Sequence, residues 1–380
     1  MERIYLDHAA TSPLHPNVFD KIIPMMKEMF GNPSSIHSFG RESRRFLDEA
    51  RERVAKAIHA KEKEIIFTSG GTEADNMAII GAALANKHKG QHIITTEIEH
   101  HAVLHACQYL EKIGFDVTYL PVDEKGFISV NDVQQALRDD TILVTIMYGN
   151  NEVGSIQPIE KIGELLKNHQ AYFHTDAVQA FGILPIDVNT LQIDMLSASS
   201  HKINGPKGSG FLYVREGVPL SPLFFGGEQE LKRRAGTENV HGIVGFAEAV
   251  EIAERGREEK QKQFLKFKQI MIDTFKQNDV SFSINGSIDH SLPHILNVYF
   301  PGTNVESLLV NLDLAGIAAS SGSACTAGSV EPSHVLVAMF GKDSNKVVSS
   351  VRFSFGYGNN MENVKEAAET ISSIVKRLTS

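Results

Sequence analysis

Cysteine is scarce in this chain of 380 residues: Cys107 and Cys325 are the only two, so no disulfide framework can hold it together. A reducing cytoplasm is the natural setting for such a composition. Positive charge is also short. The 37 Lys and Arg stand against 46 Asp and Glu, and a net charge of −9 leaves no large basic face for direct nucleic-acid binding. No apolar stretch is long enough to span a bilayer, so no membrane role is expected. The opening run Met1-Glu2-Arg3-Ile4-Tyr5-Leu6-Asp7 is too charged for a secretory leader. What is present suits a soluble intracellular globular protein: 42% hydrophobic and 22% charged residues, in a chain long enough for two or three domains.

Helical and strand periods alternate from about residue 41. Residues 41–58 read as an amphipathic helix, 64–68 as a buried strand, 71–84 as helix and 92–96 as strand. Further strands are expected near 116–121, 142–147, 171–175, 193–198 and 209–214. Short apolar strands separated by helices predict an α/β fold with a mostly parallel seven-stranded sheet covered on both faces. Such sheets bind ligands beyond the carboxyl ends of their strands. A charged helical stretch from 247 to about 277 reads as a solvated helix linking two domains. Beyond it, strands near 281–285, 294–300 and 351–355 mix with helices at 304–314 and 361–378. The expected division is a large domain over 15–258 and a smaller α+β domain built from 1–14 and 259–380.

The chemistry concentrates at strand ends. Lys202 lies in Ser199-Ser200-His201-Lys202-Ile203-Asn204-Gly205-Pro206-Lys207-Gly208, among hydroxyl and ring donors and a tight glycine turn. A lysine there can be an exposed loop residue, but its amine can also condense with the aldehyde of pyridoxal 5'-phosphate and later carry a proton. Asp176 ends the strand before Ala177. It can cap a helix, or it can keep the cofactor's ring nitrogen protonated so that the ring accepts electrons. Ser69-Gly70-Gly71-Thr72-Glu73 follows a strand and opens a helix, where unpaired backbone N–H groups and the Thr72 hydroxyl suit a phosphate, or where the glycines serve the turn alone; it lacks the lysine of a Walker loop.

Other candidates are less specific by themselves. His100 sits at a strand-to-helix turn, as a cap, a packed ring, or a group stacked on the cofactor. His101 and His105 share a helix face at i, i+4, but without a third ligand no metal site is expected. Asn151 lies in Asn150-Asn151-Glu152-Val153-Gly154 after a strand, as a simple turn residue or a donor to the cofactor's phenolic oxygen. Cys107 falls in an amphipathic helix and reads as a small apolar residue. Cys325 lies in Ser320-Ser321-Gly322-Ser323-Ala324-Cys325-Thr326-Ala327-Gly328-Ser329, where Gly and Ser favour a mobile loop and a reactive thiol is expected.

Taken in order, these residues resemble the cysteine desulfurases of the NifS/IscS group, within the class V aminotransferase-like enzymes of PLP-dependent transferase fold type I. The matching runs are Tyr5-Leu6-Asp7-His8-Ala9-Ala10-Thr11, Gly31-Asn32-Pro33-Ser34-Ser35, Phe67-Thr68-Ser69-Gly70-Gly71-Thr72-Glu73 and Asn150-Asn151-Glu152-Val153-Gly154. Asp176-Ala177-Val178-Gln179, His201-Lys202, Arg234-Ala235-Gly236-Thr237-Glu238-Asn239, the Cys325 loop and Val351-Arg352-Phe353-Ser354 complete the set, which covers essentially the whole chain. The resemblance implies that Lys202 tethers the cofactor and that Asp176 holds its ring nitrogen. His100 would stack and move protons, Asn151 and Gln179 would contact the phenolic oxygen, and Gly71, Thr72, Ser199 and His201 would hold the phosphate. Thr237 would reach the phosphate of a partner subunit, which implies a homodimer. Arg352 and Asn32 would bind the substrate, with the arginine gripping its carboxylate through a two-point fork.

The implied reaction takes L-cysteine to L-alanine and leaves sulfur as a persulfide on Cys325, for a protein acceptor in iron–sulfur cluster assembly or tRNA thiolation. The serine-rich Cys325 run matches the long-loop group of the family. Ser200 and Asn204 depart from the residues that commonly flank the lysine, and the chain stops at Ser380 soon after its last helix. An aminotransferase would share Lys202 and Asp176 without needing Cys325. A selenocysteine lyase would discriminate against L-cysteine, and a non-enzymatic sulfur carrier would bind no cofactor.

Overall fold

The computed structural model describes residues 3–322 and 332–380; Cys325 lies outside them. Strands β1 (Ile4–Tyr5), β2 (Ile65–Thr68), β3 (His92–Thr96), β4 (Asp116–Leu120), β5 (Thr141–Thr145), β6 (Tyr172–Asp176), β7 (Met195–Ser199) and β8 (Gly210–Val214) come first in the chain. All but β1 form one sheet of seven strands, in the order β2-β8-β7-β6-β5-β3-β4. The pairs from β7 to β4 are parallel; β8 runs antiparallel to both β7 and β2. This is the expected α/β sheet, with its antiparallel strand near one edge.

Alternation along each strand divides the core between two faces. Ile65, Phe67, Ile94, Val144, Leu196, Phe211 and Tyr213 enter one apolar cluster, which the N-terminal part of helix Val240–Gln277 and helix Ser38–Ala57 cover. Their neighbours Ile66, Ile93, Leu143, Met195, Leu212 and Val214 face the other way, against helices Gly71–Asn86 and His101–Lys112. Cys107 is part of that second cluster, and burial pushes its thiol pKa up, as befits a packing residue.

The remaining strands are β9 (Ser283–Asn285), β10 (Ile295–Tyr299), β11 (Ile317–Ala318) and β12 (Ser350–Ser354). β12, β10 and β9 make a three-stranded antiparallel sheet, and β1 pairs in parallel with β11. Ile4 and Leu6 share a core with Phe267, Val298, Phe353 and Ile371, so the N-terminal residues pack with the C-terminal part of the chain.

The charged stretch near 247–277 differs from its sequence reading as a solvated linker. It belongs to a helix of 38 residues, Val240–Gln277, that starts at the Asn239 cap and runs from one core into the other. Phe246, Ala249, Val250 and Ala253 are buried at one end, and Phe264, Phe267, Met271 and Phe275 at the other. Apolar residues three and four apart make a buried stripe, and the charges between them obscured it.

Candidate active site

Several strand ends converge on one cavity of about 390 Å³. Asp176 is the last residue of β6 and Ser199 the last of β7; Gly71 opens the helix after β2, and His100 caps the helix after β3. The carboxyl edge of the sheet thus gathers residues that are far apart in sequence.

Lys202 follows β7 in a short 3-10 turn, and its Nζ donates to the carbonyls of Ala9 and Ala10 at 2.5 and 2.8 Å. Those carbonyls aim the amine at the cavity wall. No side chain in the N-terminal run marks this task, because backbone carbonyls do the work. Asp176 is buried, and its Oδ1 accepts from Val178 N–H at 2.8 Å, which closes a turn; no helix starts there, so the helix-cap reading of this residue does not hold. Burial pushes its carboxyl pKa up to about 6, while the same N–H and Lys202 pull it back. A second buried carboxyl, Asp75, lines the cavity beside it and was not singled out in the sequence. Its pKa is raised by burial and by the Asp176 charge, and its Oδ1 lies 3.7 Å from His174 Nε2.

His100 does two things at once. Its Nδ1 accepts from Ala102 N–H at 3.1 Å, capping the helix, which leaves the ring hydrogen on Nε2. Burial and the charge of Lys202 hold its pKa down to about 4, so the ring is neutral. Next to it, the buried Glu99 carboxyl, its pKa raised by burial to about 8, accepts from Met147 N–H at 2.9 Å and from Thr96 Oγ1 at 2.8 Å, fixing the loop that carries Asn151.

The other expected residues divide clearly. Gly71, Thr72, Ser199, His201, Asn151, Gln179 and Arg352 all line the cavity. His201 Nδ1 lies 3.1 Å from Thr11 Oγ1, and its pKa is lowered to about 4 chiefly by burial. Arg352, on β12, donates to the Asn151 carbonyl. Asn32 and Thr237 do not line the cavity; both are exposed, and Asn32 Oδ1 accepts from Ser34 N–H. His101 has His105 and His334 rings at 5.2 and 4.6 Å, yet no cluster of three or more metal-binding side chains forms among the described residues. No helix of the described residues is long and apolar enough to cross a membrane.

A model of the aminotransferase class-V family matches residues 4–366. The chain belongs to that family. It is 65% identical, over the full length of both chains, to the putative cysteine desulfurase IscS 1 of Bacillus subtilis strain 168. Among solved structures, a NifS-like protein superposes with a TM-score of 0.93 at 37% identity, covering 99% of this chain and all of that one. A structure described as SspA in complex with cysteine has a TM-score of 0.80 at 40% identity, covering 93% and 98%. Within the class-V family the chain falls in the NifS/IscS-like cysteine desulfurase group, whose members use pyridoxal 5'-phosphate.

The cavity fits that cofactor. A buried carboxyl held above its ordinary range is matched by a protonated ring nitrogen, which would restore its charge. A Cβ on Gly71 would meet Val178 Cγ2 at 2.7 Å, so glycine lets the helix N-terminus approach this cavity-lining side chain without a clash. Its cap, Gly70, offers no side chain, and the first-turn N–H groups remain available to a phosphate.

Proposed function

We propose that this enzyme takes L-cysteine to L-alanine and retains the sulfur on Cys325 as a persulfide, for delivery to a protein acceptor serving iron–sulfur cluster assembly or tRNA thiolation. Support for the reading comes from Lys202, Asp176 and Arg352 lining one cavity, where they would serve as tethering amine, ring-nitrogen partner and carboxylate fork. When bound, pyridoxal 5'-phosphate supplies an electron sink for the bond at the substrate Cα.

The residues divide the remaining work. Lys202 Nζ would hold the cofactor and then take the Cα proton. Asp176 would hold the ring nitrogen, and His100 would cover the ring with a neutral imidazole. Gly71, Thr72, Ser199 and His201 would hold the phosphate, and Asn151 and Gln179 would face the phenolic oxygen. Arg352 would bind the substrate carboxylate, its planar fork matching both oxygens. The Cys325 sulfur bonds to the substrate sulfur, the substrate Cβ–S bond breaks with its electron pair staying on carbon, and Cβ takes a proton. Cysteine and the enzyme thiol thereby become alanine and the enzyme persulfide, with no external oxidant or reductant.

A homodimer completes the reading, with Asn32 and Thr237 contributed at the subunit boundary. Two features support it. Phe30, Ile36 and Phe225 are exposed by 78%, 91% and 87% on the same two segments. Arg234, whose guanidinium lies over the Phe224 ring, also pairs with Glu73 in the first turn of the phosphate-facing helix. The segment carrying Thr237 is therefore tied to that helix, while Thr237 itself is exposed and does not line the cavity.

The test is alanine and sulfide release from L-cysteine with a thiol reductant present, in the wild type and in Cys325→Ala. Alanine lost in the variant, with the cofactor's colour retained, supports the persulfide route. A keto acid product would make the enzyme an aminotransferase instead.

A further inference from the structure

Gln179 stands between two cavities, and the chemistry of its neighbours fixes which way its amide points. The Ala9 carbonyl can only accept, so the amide atom 2.9 Å from it must be Nε2. Oε1 then lies on the other side, 3.3 Å from His294 Nε2. An amide oxygen can only accept as well, so His294 carries a hydrogen on Nε2 and donates it. The two ends face different spaces. Ala9 lines the active-site cavity, whereas His294 lines a second cavity of about 280 Å³, whose lining includes Ile183, Asn204, Phe264 and Phe355 and which shares Lys202 with the first.

The surroundings of His294 favour one tautomer of a neutral ring. It is 6% exposed, and Lys268, His8, Arg352 and Lys202 all oppose a positive charge on it. Burial first, and these charges second, hold its pKa down to about 3. With its single hydrogen committed to Gln179, Nδ1 is left as an acceptor without a hydrogen-bond partner among the described residues.

We propose that His294 is a positioning residue that holds the NH2 end of Gln179 toward the active-site cavity, so that the amide donates to the cofactor's phenolic oxygen. This rests on the cofactor reading above. The Ala9 carbonyl repels a flipped amide, and His294 supplies the attraction that anchors the far end. Neither residue touches the cofactor; each acts through Gln179.

A donor at the phenolic oxygen stabilises its anion, so losing the donor raises the pH midpoint at which the bound cofactor's visible band changes. The test is that spectroscopic titration on holoenzyme. His294→Phe fills the ring's space against Phe264, whose ring centroid is 6.2 Å away, and His294→Leu packs differently; both remove the donor. Both should shift the midpoint up by about 0.5–1 pH unit, the scale of one hydrogen bond. His294→Gln, which keeps a donor near Nε2, should restore it. In the Gln179→Leu background His294→Phe should add nothing. An unchanged midpoint in both donor-free variants, or a full shift in the Gln179→Leu background, overturns the proposal. A wild-type protein that takes up no pyridoxal 5'-phosphate would overturn the cofactor reading instead.

Discussion

Arg352 Nη2 donates to Asp7 Oδ1 at 2.8 Å while its Nη1 donates to the Asn151 carbonyl at 2.9 Å. One guanidinium therefore ties β12, the N-terminal segment and the loop after β5 together at the cavity wall. It is 2% exposed, and its Nε has no hydrogen-bond partner among the described residues. A substrate carboxylate would approach a group that is already oriented, with little ordering left to do.

Arg352→Lys should therefore bind cysteine poorly while still taking up cofactor. The ammonium keeps the charge but loses the planar fork and cannot reach Asp7 and Asn151 together. A charge-assisted hydrogen bond contributes about 1.5–3 kcal/mol, so the KM for L-cysteine should rise on the order of 10–100-fold. Steady-state kinetics alongside the cofactor's visible spectrum would check it. An unchanged KM would place the carboxylate elsewhere.

Gly71→Ala should weaken the cofactor more than the fold. The new Cβ would meet Val178 Cγ2 at 2.7 Å and Ser199 Cβ at 3.7 Å, pushing the helix N-terminus away from the phosphate-facing wall. Helix propensity itself favours alanine by about 1 kcal/mol, which offsets part of the strain in the apo-protein. Cofactor affinity measured by fluorescence titration should fall roughly tenfold, while the apo melting temperature changes by about 3 °C or less. Loss of both together would mean that the clash is purely structural.

How far the sequence led is visible in these residues. β3 begins and ends at 92 and 96 as expected, and the other sheet strands fall within one or two residues of their expected ranges. A strand buried on both faces is a continuous apolar run, which is easy to find. The helix Val240–Gln277 was harder, because its buried stripe is interrupted by Glu and Lys that occupy its solvent side. In the site, residues with distinctive chemistry at strand ends were legible. Ala9, Ala10, Asp75 and His294 were not: backbone carbonyls carry no side-chain mark, and the other two matter through residues distant in sequence. Cys325 lies outside the described residues, so its role rests on its sequence setting and the family.

Glu230→Ala should cost global stability. Arg51 forms a two-point pair with Glu230, Nη1 to Oε2 at 2.8 Å and Nη2 to Oε1 at 2.7 Å, and Oε2 also accepts from Phe67 N–H at 2.8 Å. Both side chains are buried, and Arg51 lies over the Phe67 ring at 4.8 Å. Deleting the carboxylate leaves a buried guanidinium and a strand N–H without it, a loss of about 3–5 kcal/mol. The urea midpoint should fall clearly, and the double variant Arg51→Met, Glu230→Met should be less damaged than the sum of the single changes. Additive losses would show that the pair is not coupled.

At Lys268, pH sets the size of the effect of substitution. Its Nζ is buried and donates to the Leu292 carbonyl at 2.7 Å and to Ser291 Oγ at 2.9 Å, and burial lowers its pKa from an ordinary 10.5 to about 7. Between these two values the unfolded chain binds a proton that the folded chain does not, so this group makes stability rise with pH across that window. Below about pH 7 both states are charged and the folded state bears the full burden of a buried ammonium. Lys268→Met removes the burden, and the Leu292 carbonyl and Ser291 hydroxyl keep other contacts, with Ile295 N–H and the Ile288 carbonyl. At pH 6 the variant should melt about 2–4 °C above the wild type, and the gap should close as pH approaches 10. A gap independent of pH would mean that the amine titrates alike in both states and that the change in melting comes from packing alone.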